Sequence, residues 1–168
     1  MRTTTAFVAA ALVLGVPACI DESHDLEVDA LGGETSNVNP GPTHRPGQPC
    51  LVCHGGLGPG SPQFVVAGTV YAVEGATTPA RGARVTIEDT NGSFYNATTN
   101  EVGNFYIAPD QWSPVFPLQA TVSQGGASQQ MLTHIGRDGS CAGCHVNPAS
   151  ATSPGAVYVT PSFPEGGT

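Results

Sequence analysis

The pentapeptide Cys-x-x-Cys-His occurs twice in this chain and constrains it more than any other feature. It is present at Cys50–His54 and again at residues 141–145. Together the two copies use four of the five cysteines in 168 residues. A histidine follows the second cysteine both times, although the whole chain has only five histidines. The repetition indicates one kind of chemistry carried out at two places.

The spacing is that of the attachment sequence for c-type haem, in which two thiols add to the porphyrin vinyl groups and the histidine ligates iron. Two intervening residues let both sulfurs reach one edge of the porphyrin, and the adjacent histidine can then turn beneath the iron. The sequence therefore predicts two covalently bound c-type haems. The expected attachment residues and proximal iron ligands are Cys50, Cys53, His54, Cys141, Cys144 and His145.

Two other uses of the paired cysteines stay open at this point. Four cysteines can form a structural zinc site, and an exported chain permits disulfides. Neither alternative explains why a histidine follows each pair. Haem is therefore the preferred interpretation.

Candidates for the second axial position precede each motif. His44 comes six residues before Cys50, and His134 comes seven residues before Cys141. Six residues can span up to about 20 Å, so each histidine can reach its own haem or the neighbouring one. Both pairings stay open, and Met131 is a rival to His134. Bis-histidine ligation would leave no open iron position, which favours electron transfer over peroxide chemistry.

The overall charge argues against some classes of partner. The formal net charge is -8, and all five cations are arginines. Such a chain would repel nucleic-acid phosphates, so binding to nucleic acid is not expected. The charge would steer the chain toward basic partners, although a general role in solubility is the preferred interpretation. Redox proteins of the envelope are the expected partners.

The N-terminus has the pattern of an export signal, with Arg2 followed by an apolar run over residues 6–16. Residues 16–19, Val-Pro-Ala-Cys, resemble a bacterial lipobox, so we expect a signal peptide over 1–18 and lipidation of Cys19. Acyl chains on Cys19 would anchor the protein to a membrane. Ile20 after the cysteine favours the outer membrane, facing the periplasm or the cell exterior. Cleavage elsewhere, leaving a free thiol, is the alternative.

The rest of the chain divides by composition. Residues 19–43 are acidic and polar, and predict a flexible tether in which His24 is solvated. Residues 44–63 and 135–154 are Gly- and Pro-rich haem-binding segments around the two motifs. Residues 64–134 alternate apolar and polar positions with period two, which predicts a small β-sandwich. Within it, Val85 and Ile87 would face one side of a strand, Asn91-Gly92 would form a hairpin turn, residues 100–104 would precede another strand, and the last strand would run over 128–134. Residues 155–168 form a tail or an edge strand. The fold class is therefore mainly β.

Within this β-region, the sequence resembles the carboxypeptidase regulatory-like domain. The resemblance is carried by Gly-Ala-Arg-Val at 82–85 and by Thr-Asn-Glu-Val-Gly-Asn-Phe at 99–105, and covers roughly 70 residues. It implies a transthyretin-like β-sandwich that serves as a structural or interaction module, without catalytic residues. The two motifs themselves resemble those of small multihaem c-type cytochromes.

The expected function is a dihaem electron carrier of the bacterial envelope or cell surface, not an enzyme, with the sandwich as a spacer between the haems. One variant is a subunit of an extracellular cytochrome filament, in which haems at either end of the sandwich meet those of the next subunit. A dihaem peroxidase is disfavoured because five histidines suffice to fill every iron position. A non-haem adhesion lipoprotein, with zinc or disulfides at the cysteine pairs, is the remaining alternative.

Overall fold

The computed structural model describes residues 22–34 and 38–161. The predicted signal peptide, residues 1–18, and the predicted lipidation site Cys19 lie outside the described residues, as do residues 162–168 of the expected tail. Within the described ranges, no helix has the length and apolar character needed to cross a membrane.

Helical structure is confined to short segments. Helix α1 spans Glu22–Ala30, helix α2 spans Cys50–His54, and a 3-10 turn spans Cys141–Gly143. The helix α1 differs from the expected flexible tether, because nine residues of that segment are ordered. Its own sequence supplies little of this order, since none of its residues is buried. Contacts from a later segment, described below, hold its C-terminal end.

Seven strands account for most of the ordered chain, and they form two sheets. The first sheet has the order β4-β1-β7, with β1 antiparallel to β4 and parallel to β7. The second is antiparallel, with the order β3-β2-β5-β6. The strands are β1 Val66–Val73, β2 Arg84–Asp89, β3 Phe94–Thr98, β4 Asn104–Ile107, β5 Leu118–Gln124, β6 Ala127–Gln130 and β7 Val157–Thr160.

The core lies between these two sheets, as the alternating pattern predicts. In β2, Val85 and Ile87 are buried, while Arg84 and Glu88 are exposed. Each fully buried aliphatic side chain contributes roughly 1.5–3 kcal/mol of transfer free energy. The largest fully buried side chains are Val66, Val70, Val85, Ile87, Ile107 and Leu118. The prediction of a mainly β fold is confirmed.

Two details of the predicted strands are also clear. Asn91 and Gly92 form the β2–β3 turn, where Gly92 adopts a φ of 77° and donates its N–H to the Asp89 carbonyl. The last predicted strand of the sandwich, 128–134, ends early at Gln130. Residues 132–134 then bulge outward, because Met131 still bonds to Ala120 whereas Ile135 pairs with Leu118.

The second motif lies inside the fold and not beyond it. Residues 157–160 form strand β7, which follows the motif and completes the first sheet by pairing with β1. Of the two expectations for the C-terminal segment, the edge strand is therefore the one observed. Both motifs directly precede a strand of the same sheet, β1 for the first and β7 for the second.

Candidate functional site

The first motif is a single helical turn that is closed by backbone hydrogen bonds. Gly55 donates its N–H to Leu51 O at 2.8 Å, and Gly60 donates to Cys53 O at 2.7 Å. In a helical turn, residues three and four apart lie on one side. Cys50, Cys53 and His54 therefore lie on one side of the turn, as attachment of one porphyrin by its edge requires.

The ring of His54 is fixed by its Nδ1 atom. This nitrogen lies 2.7 Å from the Pro62 carbonyl oxygen. A carbonyl can only accept a hydrogen bond, so Nδ1 carries the proton and Nε2 of the neutral ring keeps its lone pair. Metal-ligating histidines are commonly held in this way, through a backbone carbonyl on the second nitrogen. The geometry leaves Nε2 as a metal ligand.

The first motif opens onto a cavity of about 640 Å³. This volume falls in the range of about 300–1,000 Å³ that is typical of cofactor and ligand sites. Helix α1 contributes Val28 to its wall, the turn after the helix contributes Leu31, and β4 contributes Tyr106. The predicted haem residues that line it are His44, Cys50, Cys53 and His54.

His44 lies across this cavity from His54. Their ring centres are 5.7 Å apart, with the planes inclined by 66°. Imidazole nitrogens bind metals at about 2 Å, so two rings on opposite sides of one ion have centres about 6 Å apart. Nδ1 of His44 is buried without a hydrogen bond, and the nearest carboxylate oxygen, on Glu34, is 3.3 Å away. This separation would allow the two rings to ligate one metal ion.

A polar network fixes the backbone of the His44 segment to the first sheet. Asn104, buried at the start of β4, donates from Nδ2 to His44 O at 3.0 Å. Thr69 in β1 donates its hydroxyl to Asn104 Oδ1 and accepts the Gly47 N–H, both at 2.7 Å. Because all of these groups are partnered, the network supports a defined position for His44.

Arg45 joins the same segment to helix α1. Its guanidinium donates to the carbonyl oxygens of Leu31 and Gly32, and to the side chains of Glu34 and Gln48. Carbonyl groups at a helix C-terminus lack partners within the helix, so a cation there is stabilising. Arg45 therefore holds α1 as one wall of the cavity.

The second motif is built with the same lock on its histidine. His145 donates its N–H to Cys141 O at 2.9 Å, and its Nδ1 lies 2.9 Å from Gly155 O. Its Nε2 is therefore free for a metal, as in His54. The buried Ser153 holds the loop by accepting the N–H groups of Val146 and Gly155.

The two leading cysteines are partly shielded from water. Burial raises the pKa of Cys50 to about 11, against an ordinary value of 9.0. Burial, followed by the nearby charge of Cys50, raises the pKa of Cys141 to about 12. Both stay protonated at neutral pH. Buried thiols of this kind are poorly reactive toward oxidants.

The other candidate ligands are placed differently. His134 is exposed in the bulge of residues 132–134, and has no hydrogen bond, ion pair or ring contact among the described residues. Met131 is half-buried beside β5. His24 differs from the expected solvated residue, because it is half-buried and its Nε2 is buried without a partner.

Among the described residues, the cysteines form neither a disulfide nor a zinc site. Cys50, Cys53, Cys141 and Cys144 are all free thiols. Across residues 22–34 and 38–161, no three side chains of His, Cys, Asp or Glu are grouped to hold a bare metal ion. The donor set instead suits a haem, which brings its own four nitrogen ligands and needs only axial histidines from the chain.

Several residues that support the two sites were not identified from the sequence. Asn104 lies in a segment read as a turn before a strand, and Thr69 lies in a strand pattern. Their partners are at distant positions, such as His44. No local signal marks such contacts. Ser153 is equally hidden in a Ser- and Pro-rich loop.

Comparisons of this chain with known protein families, curated proteins and solved structures gave no match.

Proposed function

We propose that this protein is a dihaem c-type cytochrome that carries electrons in the envelope or at the surface of a bacterial cell. The observation that carries the proposal is the repeated lock on the two motif histidines. In both copies, Nδ1 bonds to a backbone carbonyl and Nε2 is left as a ligand. A zinc site made of the four cysteines, or a pair of disulfides, would not use either histidine.

The chain has distinct tasks in this function. When bound, haem supplies a one-electron iron couple. Cys50 and Cys53 would hold the first haem and Cys141 and Cys144 the second, each thiol S–H adding across one vinyl group with no atom lost. His54 and His145 would occupy one axial position on each iron.

The second axial position differs between the two sites. For the first haem the proposed ligand is His44, on the strength of its 5.7 Å approach to His54. Axial histidines lower the potential relative to methionine. His134 remains the predicted ligand of the second haem, although its side chain is exposed and has no hydrogen bond or ion pair among the described residues.

The β-sandwich is proposed to be of the transthyretin-like type and to act as the frame of the two haem segments. Its seven strands in two sheets agree with that architecture at the level of layers. Together with lipidation of Cys19, the frame would present the haems to redox partners near the outer membrane.

The test is a pyridine haemochrome spectrum of full-length protein produced with the cytochrome c maturation system. We expect a c-type band equivalent to two haems per chain, falling to one when Cys141 and Cys144 are both replaced by Ala. A matched variant, Ser150→Ala, alters the exposed loop after the second motif and should keep both haems. A colourless wild-type protein would contradict the proposal and revive the adhesion lipoprotein.

A further inference from the structure

The two motifs are far apart in sequence but meet on the same strand. Phe64, just before β1, donates its N–H to His54 O at 2.7 Å. Ala67 in β1 donates to Gly139 O at 3.0 Å, and pairs with Ser140 immediately before the second motif. Three residues of extended chain separate these two contacts, or roughly 10 Å at 3.3 Å per residue. The last residue of one motif and the first residues leading into the other are thus near neighbours.

A second pair of contacts supports the same arrangement one step further along β1. The Cys141 Sγ lies 2.8 Å from the position that a Cβ on Gly68 would occupy, so it packs directly on that backbone. The next residue, Thr69, accepts the N–H of Gly47, three residues before Cys50. Adjacent strand residues face opposite sides. The segment that leads into Cys50 and the side chain of Cys141 therefore contact adjacent residues of β1 from its two sides.

We propose that the two haems form an adjacent pair within a single chain, held at the N-terminal end of strand β1. The proposal rests on the proposed function, since it requires both haems to be attached. It differs from a sandwich acting as a spacer with one haem at each end, because both attachment segments contact residues 64–69. It also differs from the filament variant, because no second copy of the chain is needed to bring the haems together.

The packing at Gly68 is what permits this approach. A methyl group at this position would lie 2.6 Å from Cys141 Cβ, and Phe105 closes the other side at 3.1 Å. Parallel pairing of β7 with β1, directly after the second motif, then prevents that segment from swinging away. The distance between the haem attachment points is therefore set by the first sheet and not by a flexible linker.

The test is circular dichroism in the Soret band, where transition dipoles of neighbouring porphyrins couple and give a two-signed signal. Intact mass first establishes two haems per chain. The wild-type spectrum is then compared with the sum from two single-haem variants, one with Cys50 and Cys53 changed to Ala, the other with Cys141 and Cys144 changed to Ala. We expect the wild type to exceed that sum, and to do so equally on tenfold dilution of a monomer isolated by size exclusion.

The other outcomes separate the possible failures. A doubly loaded monomer whose spectrum equals the sum would overturn the adjacent pair and leave the proposed function intact. A two-signed signal that disappears on dilution would place the contact between chains, and would also overturn it. A chain with no haem mass would overturn the proposed function itself. If either variant fails to fold, the wild-type dilution series alone decides between these results.

Discussion

The two copies of the motif share two cysteines, a histidine and the hydrogen bond that fixes that histidine, yet their surroundings differ. The first copy lines a cavity of about 640 Å³ and has a second histidine, His44, opposite its own. The second copy lines neither this cavity nor the smaller one beside β3 and β4. Its preceding histidine, His134, is exposed. Under the proposed function, the pentapeptide would account for attachment and one axial ligand, whereas the rest of the site would depend on how the neighbouring chain is anchored.

The hydrogen bonds that hold the neighbouring backbone explain why His44 and His134, which precede the two motifs, differ in exposure. The His44 segment is tied to the first sheet through Asn104 and Thr69, and to α1 through Arg45. The corresponding segment of the second copy leaves the sheet as a bulge, with Leu132 almost fully exposed at 99%. Both segments have a histidine at nearly the same spacing. Only one of them has partners that position it.

The largest effect is expected on replacing His44, which lines the cavity together with His54. This substitution tests the difference between the two sites. We expect His44→Ala to convert the haem at the first motif from low to high spin, because it removes the one imidazole that faces His54. Electron paramagnetic resonance of the ferric protein measures this directly. The matched variant His134→Ala should leave that haem unchanged. If His134→Ala instead converts the haem at the first motif, the assignment of His44 is wrong.

The next largest effect is expected from the network that anchors the His44 segment. Thr69→Val keeps the shape of the side chain but leaves the Gly47 N–H and Asn104 Oδ1 without the hydroxyl. An unsatisfied buried polar group costs about 1–3 kcal/mol. We expect a decrease of that size in the free energy of unfolding, measured by denaturant titration.

Thr98→Val serves as the matched control for this change, since Thr98 is exposed in strand β3 and has no side-chain hydrogen bond among the described residues. It should change stability by less than about 0.5 kcal/mol. Equal effects of the two substitutions would show that the network does not stabilise the first site.

A comparable or smaller effect is expected at the loop that holds His54. A Cβ at Gly60 would lie 2.8 Å from Cys53 O and 2.9 Å from the His54 ring, so Gly60→Ala must displace the ring or the loop. Overpacking of this kind typically costs about 1–3 kcal/mol. We expect lower haem occupancy at the first motif only, measured by mass. Gly56→Ala, where a Cβ meets nothing within 4 Å, should retain full occupancy.

The smallest effect on either haem is expected from Asp89, which lies in the β2–β3 turn. Partial burial opposes its charge, but hydrogen bonds from the N–H groups of Val115, Ser93 and Asn91 outweigh this and lower its pKa below the usual 3.8. A lowered pKa stabilises the fold above about pH 3.8, and this stabilisation is lost as the pH falls through the lowered value.

Asp89→Asn should therefore reduce stability at neutral pH, with a difference from wild type that shrinks on acidification, as thermal unfolding at several pH values would show. Asp110→Asn, at an exposed carboxylate, is the control and should change stability by less than about 0.5 kcal/mol at neutral pH. Both variants should keep two haems with unchanged spectra. If Asp89→Asn changed the haem content or spectrum at one motif alone, the difference between the two sites would reflect the general stability of the fold.

The sequence predicted the parts of the molecule that depend on short-range patterns. Alternation of Val85 and Ile87 identified β2, and Asn91-Gly92 identified its turn. The two motifs identified which histidines have a free Nε2. In contrast, helix α1 was missed because its acidic residues have no apolar stripe, and its order depends on Arg45 from outside the helix.

Long-range contacts could not be predicted from sequence patterns either. The contact of Asn104 with His44 joins positions 60 residues apart. The meeting of the two motifs at residues 64–69 depends on the parallel return of β7, which an apolar run at the C-terminus does not specify. The sequence therefore does not distinguish a sandwich that keeps the two attachment segments apart from one that holds both of them at strand β1, although the two arrangements differ in the fold.

The most direct test of the central assignment is the intact mass of the purified mature chain after denaturation, which removes everything not covalently bound. The account predicts the mass of the polypeptide with its lipid on Cys19 plus two complete haems. Replacement of either cysteine pair by Ala should remove one haem. A wild-type mass equal to the chain alone, or to the chain lacking the hydrogens lost on disulfide formation, would contradict it.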